Sequence, residues 1–364
     1  MLRIFEPLNI NQLQIKNRFI RSATVDNLGK DMRVSQPQLD FYRELALGEV
    51  GLIISSGLFP SLDGWAAPGQ LGIHDDNMMT SLSNLVDIVH KNDGKLAAQL
   101  MHAGWFGNPE LSGYQTIGPS AVINPSNNLK VRELSNDEVY EYVEIFIQAA
   151  RRAIEAGFDA VQIHSAHGWL VSAFLSPVTN LREDEWGGSV EKRARFLVDI
   201  IKGIRRLAGP DYPILIKFGL KDYHPLGKPV NEGINSAQMF ISAGVDSIEI
   251  SEGIEHQPFH HIRLDAVNPY YVEECEQARD ILDIPLILVG GMRKLSEINQ
   301  VLDSGIADAV SMCRPFIMDQ YIVKKFRLKK SKGSECISCN KCIEEMHRQN
   351  IHCIFHERLI QNLG

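Results

Sequence analysis

The sequence predicts an α/β fold, specifically a (β/α)8 TIM barrel with a short C-terminal extension. Eight short apolar runs rich in Ile, Val and Leu recur between residues 17 and 312, each followed by a longer amphipathic segment. Strands without polar alternation, interleaved with helices, indicate a parallel sheet covered on its outer face. Eight such units over about 310 residues match a barrel carrying insertions. The rival fold, a doubly wound open sheet, should carry a G-x-G-x-x-G turn after an early strand, and the chain has none.

Taken in order, the strands fall near 17–23, 51–57, 96–101, 159–164, 213–218, 246–250, 286–290 and 308–312. The helices fall near 36–48, 77–92, 135–156, 189–207, 235–243, 269–282, 294–303 and 316–328. The stretches 103–134 and 219–233 are long, rich in Gly, Pro and polar residues, and follow a strand. Loops at that end of a barrel strand overhang the catalytic mouth. Residues 1–328 are therefore read as the barrel domain and 329–364 as a separate tail. The polar segment Lys329-Lys-Ser-Lys-Gly-Ser-Glu335 joins them.

Composition narrows the function. Net charge is −8 with no long basic run, which argues against a nucleic-acid surface. No apolar run approaches the roughly 18 residues that span a bilayer. The start lacks the apolar core of a signal peptide, so a cytoplasmic protein is expected.

The most informative stretch is His164-Ser-Ala-His167-Gly-Trp169. It follows the apolar run 158–163, which places two histidines at the C-terminal end of a parallel strand. Barrel enzymes put their chemistry there. A loop of about 20 residues follows, long enough to suggest function. Read alone, His-x-x-His could also be half of a metal site or a pair of core histidines.

A phosphate site is expected at the ends of the last two strands. Leu286-Ile-Leu-Val-Gly290-Gly291 ends in two glycines, and Ser311-Met-Cys313-Arg314-Pro315 runs into a helix. Glycines let backbone N–H groups approach an anion, and Arg314 adds positive charge. Two polar residues interrupt apolar strands, Gln99 and Lys217. Both suit the edge of a flat heterocycle, and both could instead be satisfied core polar groups.

These motifs together resemble the old yellow enzyme family of FMN-dependent ene reductases, over about residues 3–325. Phe5-Glu-Pro-Leu and Lys16-Asn-Arg-Phe19 are similar to its opening strand. Gln99-Leu-Met-His102-Ala-Gly104 looks like its third strand. Asn180, Arg182, Asp184, Trp186-Gly-Gly-Ser189, Arg193 and Arg195 are highly specific to it. The resemblance implies FMN at the barrel mouth, with NADH or NADPH as reductant. Gln99 and Lys217 would contact the flavin ring, and Gly290, Gly291, Cys313 and Arg314 its phosphate. Ala23, Thr24, Val25 and Gly57 would line the ring's other side. His164 and His167 would hold the carbonyl oxygen of an α,β-unsaturated substrate. The family often forms dimers or tetramers, so a homo-oligomer is expected.

Two positions depart from the family. Most members carry tyrosine where this chain has Trp169, and that phenol protonates the substrate's α-carbon. An indole N–H is not a usable acid. The proton must come from elsewhere, from water, Tyr223, His224, or the Glu255-His256 to His260-His261 loop. Val25 stands near where relatives place Cys or Thr, and its side chain cannot hydrogen-bond the flavin. Thr24 could take over that role.

Four of the six cysteines lie in the tail: Cys336, Cys339, Cys342 and Cys353. Clustered thiols in a reducing compartment suggest metal or redox chemistry. An iron–sulfur cubane, a zinc ion and free thiols are all compatible with the spacing. Cys-Ile-Ser-Cys-Asn resembles the 2,4-dienoyl-CoA reductase and trimethylamine dehydrogenase branch. There a [4Fe-4S] cluster passes electrons between flavin centres or to a partner. The chain ends at Gly364, before the nucleotide-binding domains of those larger enzymes. The expected electron source is therefore a nicotinamide acting directly or a separate electron-transfer protein. The remaining alternatives are a dehydrogenase or demethylase sending electrons out through the cluster, a non-redox aldolase or isomerase using Lys217, and a metal-binding interaction protein with the barrel as scaffold.

Overall fold

A computed structural model describes residues 2–125, 128–255, 269–342 and 351–355. The chain opens with a hairpin, β1 (Leu8–Ile10) and β2 (Leu13–Ile15), followed by β3 (Phe19–Arg21). Next come α1 (Gln36–Leu47), β4 (Leu52–Ile54), α2 (Met79–His90) and β5 (Leu96–Leu100). An insertion then holds α3 (Pro109–Ser112), β6 (Ile117–Gly118) and β7 (Arg132–Glu133). It leads to α4 (Asn136–Glu155), β8 (Ala160–Ser165), α5 (Leu170–Leu175) and α6 (Val190–Ala208). The second half runs β9 (Ile214–Gly219), α7 (Val230–Ala243), β10 (Ser247–Ser251), α8 (Val272–Arg279), β11 (Leu286–Val289), α9 (Leu295–Asp303) and β12 (Ala309–Met312). It ends with α10 (Arg314–Met318) and α11 (Ile322–Arg327).

Eight parallel strands close into one barrel in the order β3-β4-β5-β8-β9-β10-β11-β12, and β12 pairs back onto β3. This is the expected (β/α)8 architecture, and each expected strand overlaps a barrel strand. Among the described residues no helix is long and apolar enough to cross a membrane.

The strand period of two sorts the interior into layers. Near the strand starts, Ile20, Leu52, Ala97, Ala160, Leu215, Ile287 and Ala309 pack as one apolar cluster. Ile10, Leu13 and Ile15 of the opening hairpin join it, so β1 and β2 plug the N-terminal end. Two residues further along, all of these strands but β4 and β11 turn polar at the inward position. Ser22, Gln99, Gln162, Lys217, Glu249 and Ser311 are all buried. The apolar layer gives stability, and the polar layer floors the mouth.

The helices fold for local reasons. Ser135 caps α4 in a full capping box with Glu138, and Ser189 caps α6 by accepting the Lys192 N–H. The helix expected over 316–328 is broken into α10 and α11. Asp319 leaves helical geometry, and its carboxylate accepts the Tyr321 N–H at 3.0 Å, the local bond that competes with helix. The short hairpin β1–β2, the β6–β7 pair and α5 had no expected counterpart in the sequence.

The long stretch after β8 is braced rather than loose. Asn180 Nδ2 donates to Phe174 O at 2.7 Å and Trp186 O at 2.8 Å. Trp186 is fully buried, with the Arg195 guanidinium 4.7 Å from its ring centroid. A Cβ on Gly187 would meet Arg182 O at 2.4 Å, so only glycine fits. The Arg182 guanidinium reaches Asp184 Oδ2 at 2.6 Å, Asn136 Oδ1 at 2.6 Å and Pro119 O at 3.1 Å. It thereby ties the 103–134 insertion and the start of α4 to the stretch that precedes α6. We expect Arg182→Met to destabilise the protein by about 1–3 kcal/mol, because it leaves buried carbonyl acceptors without their donor. A thermal unfolding midpoint measured beside wild type checks this.

Candidate active site

The C-terminal ends of the barrel strands bring the expected residues together around one mouth. Gln99 ends β5, His164 lies on β8 and Lys217 on β9, and the register sets His164 opposite Lys217. His167 sits just past β8 with φ +60°, a conformation uncommon for a residue with a side chain. Its N–H donates to Glu252 O at 3.0 Å, and its Nε2 lies 2.7 Å from Ser251 Oγ. These bonds hold the strained turn in place. The two imidazoles meet edge to face at 5.0 Å between centroids, and Trp169 stands 6.1 Å from His164. Phe106 closes one side at 5.5 Å from Trp169.

Electrostatics fix the protonation of both rings. Burial holds His164 well below its ordinary value, and His167 and Lys217 push it the same way. Burial and Lys217 bring His167 down to about 3. Both are neutral at physiological pH, so each carries one N–H. The His164 Nδ1 accepts the Ala166 N–H at 3.3 Å, which leaves Nε2–H as the donor. The Ser251 hydroxyl engages His167 Nε2 at 2.7 Å, so one edge of that ring is already occupied within the protein.

Beneath them lies a connected polar layer. Glu249 Oε1 accepts from Ser22 Oγ at 2.7 Å, Ser311 Oγ at 2.6 Å and Lys217 Nζ at 3.3 Å. Lys217 Nζ also donates to Ser22 Oγ at 2.8 Å. Gln162 Nε2 donates to Glu249 Oε2 at 2.9 Å, and Gln99 Nε2 donates to Gln162 Oε1 at 2.7 Å. Sequence reasoning missed Glu249, Gln162, Ser22 and Ser311. The signal was present for Glu249, since a charge inside Ile248-Glu-Ile250 is as anomalous as Lys217 in its own strand.

The remaining candidates ring the mouth. Ala23, Thr24 and Val25 follow β3 and are half-buried. The Thr24 hydroxyl lies 3.0 Å from Ser22 O and 2.9 Å from Cys313 Sγ, so it joins the ends of β3 and β12. Gly57 is buried beside Gln99. A Cβ there would meet Met101 Sδ at 2.9 Å and Gln99 Oε1 at 3.4 Å. Gly290 and Gly291 both take left-handed φ, at +84° and +76°. A Cβ on Gly290 would strike the Tyr270 ring at 2.6 Å. Arg314 Nη2 donates to Tyr270 OH at 2.8 Å and Nη1 to Asn340 Oδ1 at 2.6 Å. Positive groups, bare glycine backbone and an amide edge converge here, which is the donor set that a flavin phosphate and ring require.

Tyr223 stands at the rim. Its hydroxyl donates to Glu274 Oε1 at 2.6 Å, and burial together with Glu274 pushes the phenol far above its ordinary value. Glu255 pairs with Tyr223 in a bridge, while His256, His260 and His261 lie outside the described residues.

The tail lies against the segments that follow β3 and β11. Leu295 N donates to Lys332 O at 3.0 Å, Ser334 N to Arg293 O at 2.8 Å, and Ile351 N to Asp26 O at 3.0 Å. Cys336, Cys339, Cys342 and Cys353 line one small cavity of about 20 Å³ together with Arg314. Among the described residues, no three His, Cys, Asp or Glu side chains are grouped to hold a single metal ion.

The neutral histidines make stability pH-dependent. The unfolded chain binds a proton at His167 below about 6.5, and the folded chain only near 3, so stability rises with pH across that window. Each such imidazole contributes a slope of up to about 1.4 kcal/mol per pH unit. We expect the unfolding midpoint to fall as pH drops from 6.5 towards 3. His167→Gln should flatten that slope, as denaturant titrations at stepped pH will test.

A family model described as NADH:flavin oxidoreductase / NADH oxidase matches residues 3–332. The chain is 34% identical to the NADH oxidase of Thermoanaerobacter brockii over 96% of its own length and 54% of that enzyme. It is 32% identical to the NADPH dehydrogenase of Bacillus subtilis, covering 88% of this chain and 93% of that one. A solved 2-naphthoyl-CoA reductase in complex with 2-naphthoyl-CoA superposes with a TM-score of 0.93 at 27% identity, over 99% of this chain and 57% of the other. The chain thus spans about half the length of two of these relatives and nearly all of the third. With the barrel, the glycine cradle and the paired histidines in place, the chain belongs to the NADH:flavin oxidoreductase / NADH oxidase family and is an oxidoreductase with FMN as its cofactor.

Proposed function

We propose that this chain takes electrons from NADH or NADPH and reduces the C=C bond of a small α,β-unsaturated carbonyl substrate at the barrel mouth. The observation that carries this reading is the pair of neutral imidazoles, buried His164 and half-buried His167, set edge to face, with His164 in register with Lys217. Gln99 and Lys217 would hold the ring edge of FMN, and Gly290, Gly291, Cys313 and Arg314 its phosphate. Ala23, Thr24, Val25 and Gly57 would border the ring. When bound, FMN supplies hydride transfer, from the nicotinamide and then to the β-carbon of the substrate.

The protein's own work is placement and charge stabilisation. In this reading the His164 Nε2–H donates to the carbonyl oxygen, joined by His167 in its Nδ1–H tautomer, where negative charge grows as hydride arrives. A preorganised donor of this kind is worth about 3 kcal/mol. Phe106 and Trp169, packed edge to face, form an apolar wall beside it. A planar conjugated acyl group suits that wall, and the likeness to a 2-naphthoyl-CoA reductase directs the first substrate panel toward unsaturated acyl thioesters. The α-carbon proton is assigned to water, because Trp169 has no acidic proton and the Tyr223 hydroxyl is committed to Glu274.

A second reading rests on the tail. Four thiols around one small cavity beside Arg314 match the ligand number of a four-cysteine iron–sulfur cluster, and equally that of a tetrahedral zinc. A cluster there would link FMN to a separate electron-transfer protein, in either direction.

Anaerobic absorption spectra with iron and sulfide assays test both. Flavin bands bleached by a nicotinamide and restored by an enone support direct reduction. Stoichiometric iron, with a flavin that neither nicotinamide bleaches, supports the cluster route. A protein that cannot be reconstituted with FMN overturns both. His164→Ala and His167→Ala should each retain flavin and lose about 10²–10³ in turnover. Trp169→Tyr should raise turnover of a simple enone by about tenfold or more, as a positioned acid does.

A further inference from the structure

Glu249 is the one carboxylate in the polar layer, and it is fully buried. Its four contacts come from four different barrel segments: Ser22 after β3, Gln162 on β8, Lys217 on β9 and Ser311 on β12. A carboxylate buried this deeply costs stability unless paired and fully hydrogen-bonded, and here it is both. Burial alone would push its carboxyl up. Lys217 and the bonds from Ser311, Ser22 and Gln162 outweigh that and hold it below the ordinary value.

The carboxylate also sets hydrogen-bond direction around it. Glu249 can only accept, so Gln162 must turn its Nε2 toward it. Gln162 is then obliged to offer Oε1 to Gln99, and Gln99 must spend an N–H on that bond. The Gln99 Oε1, the acceptor of that amide, is left on the Gly57 side. One buried anion thus fixes the charge balance at Lys217 and the amide orientation at Gln99, the two residues assigned to the ring edge.

We propose that Glu249 is a positioning residue that neutralises Lys217 and thereby keeps the reduction potential of the bound flavin low. This inference rests on the FMN reading above. A lone cation beside a flavin ring favours the electron-rich, reduced cofactor, whereas a tight ion pair favours it far less. With Glu249 in place the reduced enzyme is the stronger donor, which suits acceptors that are weakly activated.

The test is dye-equilibration potentiometry on the FMN-loaded protein. Glu249→Gln leaves Lys217 uncompensated and should shift the reduced-to-oxidised ratio at fixed poise at least tenfold toward reduced, about 30 mV for a two-electron couple. The double variant Lys217→Met with Glu249→Gln removes both charges and should stay within about threefold of wild type. Lys217→Met alone leaves the anion and should shift the ratio at least about tenfold the other way. A Glu249→Gln protein that binds FMN with an unchanged potential overturns the proposal. So does a double variant displaced as far as Lys217→Met alone, and that arm stands even if Glu249→Gln loses its flavin. A wild-type protein that takes up no FMN would instead remove the FMN reading, a distinct failure seen before any variant is made.

Discussion

Closing eight parallel strands into one barrel points every second side chain at a shared axis, and the rest of this molecule follows from how that space is filled. Small residues at Ala97, Ala160 and Ala309 interleave with Leu52, Leu215 and Ile287 in the lower layer. That packing seals one end with apolar contacts. The same period carries Gln99, Gln162, Lys217, Glu249 and Ser311 into the upper layer, beside the apolar Ile54 and Val289. Unpaired, such groups would each cost several kcal/mol, so they had to be arranged as one connected network. The mouth inherits a floor of fixed polarity, and the histidines above it inherit the field of Lys217.

The histidines show how placement becomes chemistry. Exposed, an imidazole would be half charged near neutrality and would present a variable number of N–H groups. Buried beside a lysine, each is neutral and offers one donor in one direction. The surrounding architecture defends that geometry. Ser251 and the Glu252 carbonyl hold His167 in its left-handed turn, and the Arg182–Asp184–Trp186 brace keeps the following chain from sagging into the mouth. Much of what is specific in the sequence after His167 is therefore structural support rather than reacting groups.

The barrel was legible in the sequence because its strands are continuous apolar runs, and burial on both faces leaves no polar alternation to confuse them. The opening hairpin was not, because strands of three residues carry too little periodicity. The end of the last helix was misread because apolar spacing continues through Asp319, where a side-chain bond breaks the helix. In the site, Lys217 was found by the cost of burying charge, and Glu249 was overlooked although the same argument applies to it. His164 and His167 were visible as types and positions. Their single-proton state was not, since it depends on burial and on a lysine 50 residues downstream. The four tail cysteines were plain to see, but spacing alone does not say how far apart their sulfurs sit.

The seam between β3 and β12 carries a consequence for how the protein is made. Arg18 bonds to Asp308 O across 290 residues of sequence, and Phe19 pairs with Val310. At typical elongation speeds of about 5–20 residues per second, the first barrel strand waits roughly 15–60 s for its neighbour to leave the ribosome. During that time its free edge is a template for other chains. The opening hairpin gives the nascent chain early local pairing, but the barrel interior stays open until the last strand arrives. Expression temperature and chaperone supply should therefore govern the yield of this protein more than the stability of its finished fold.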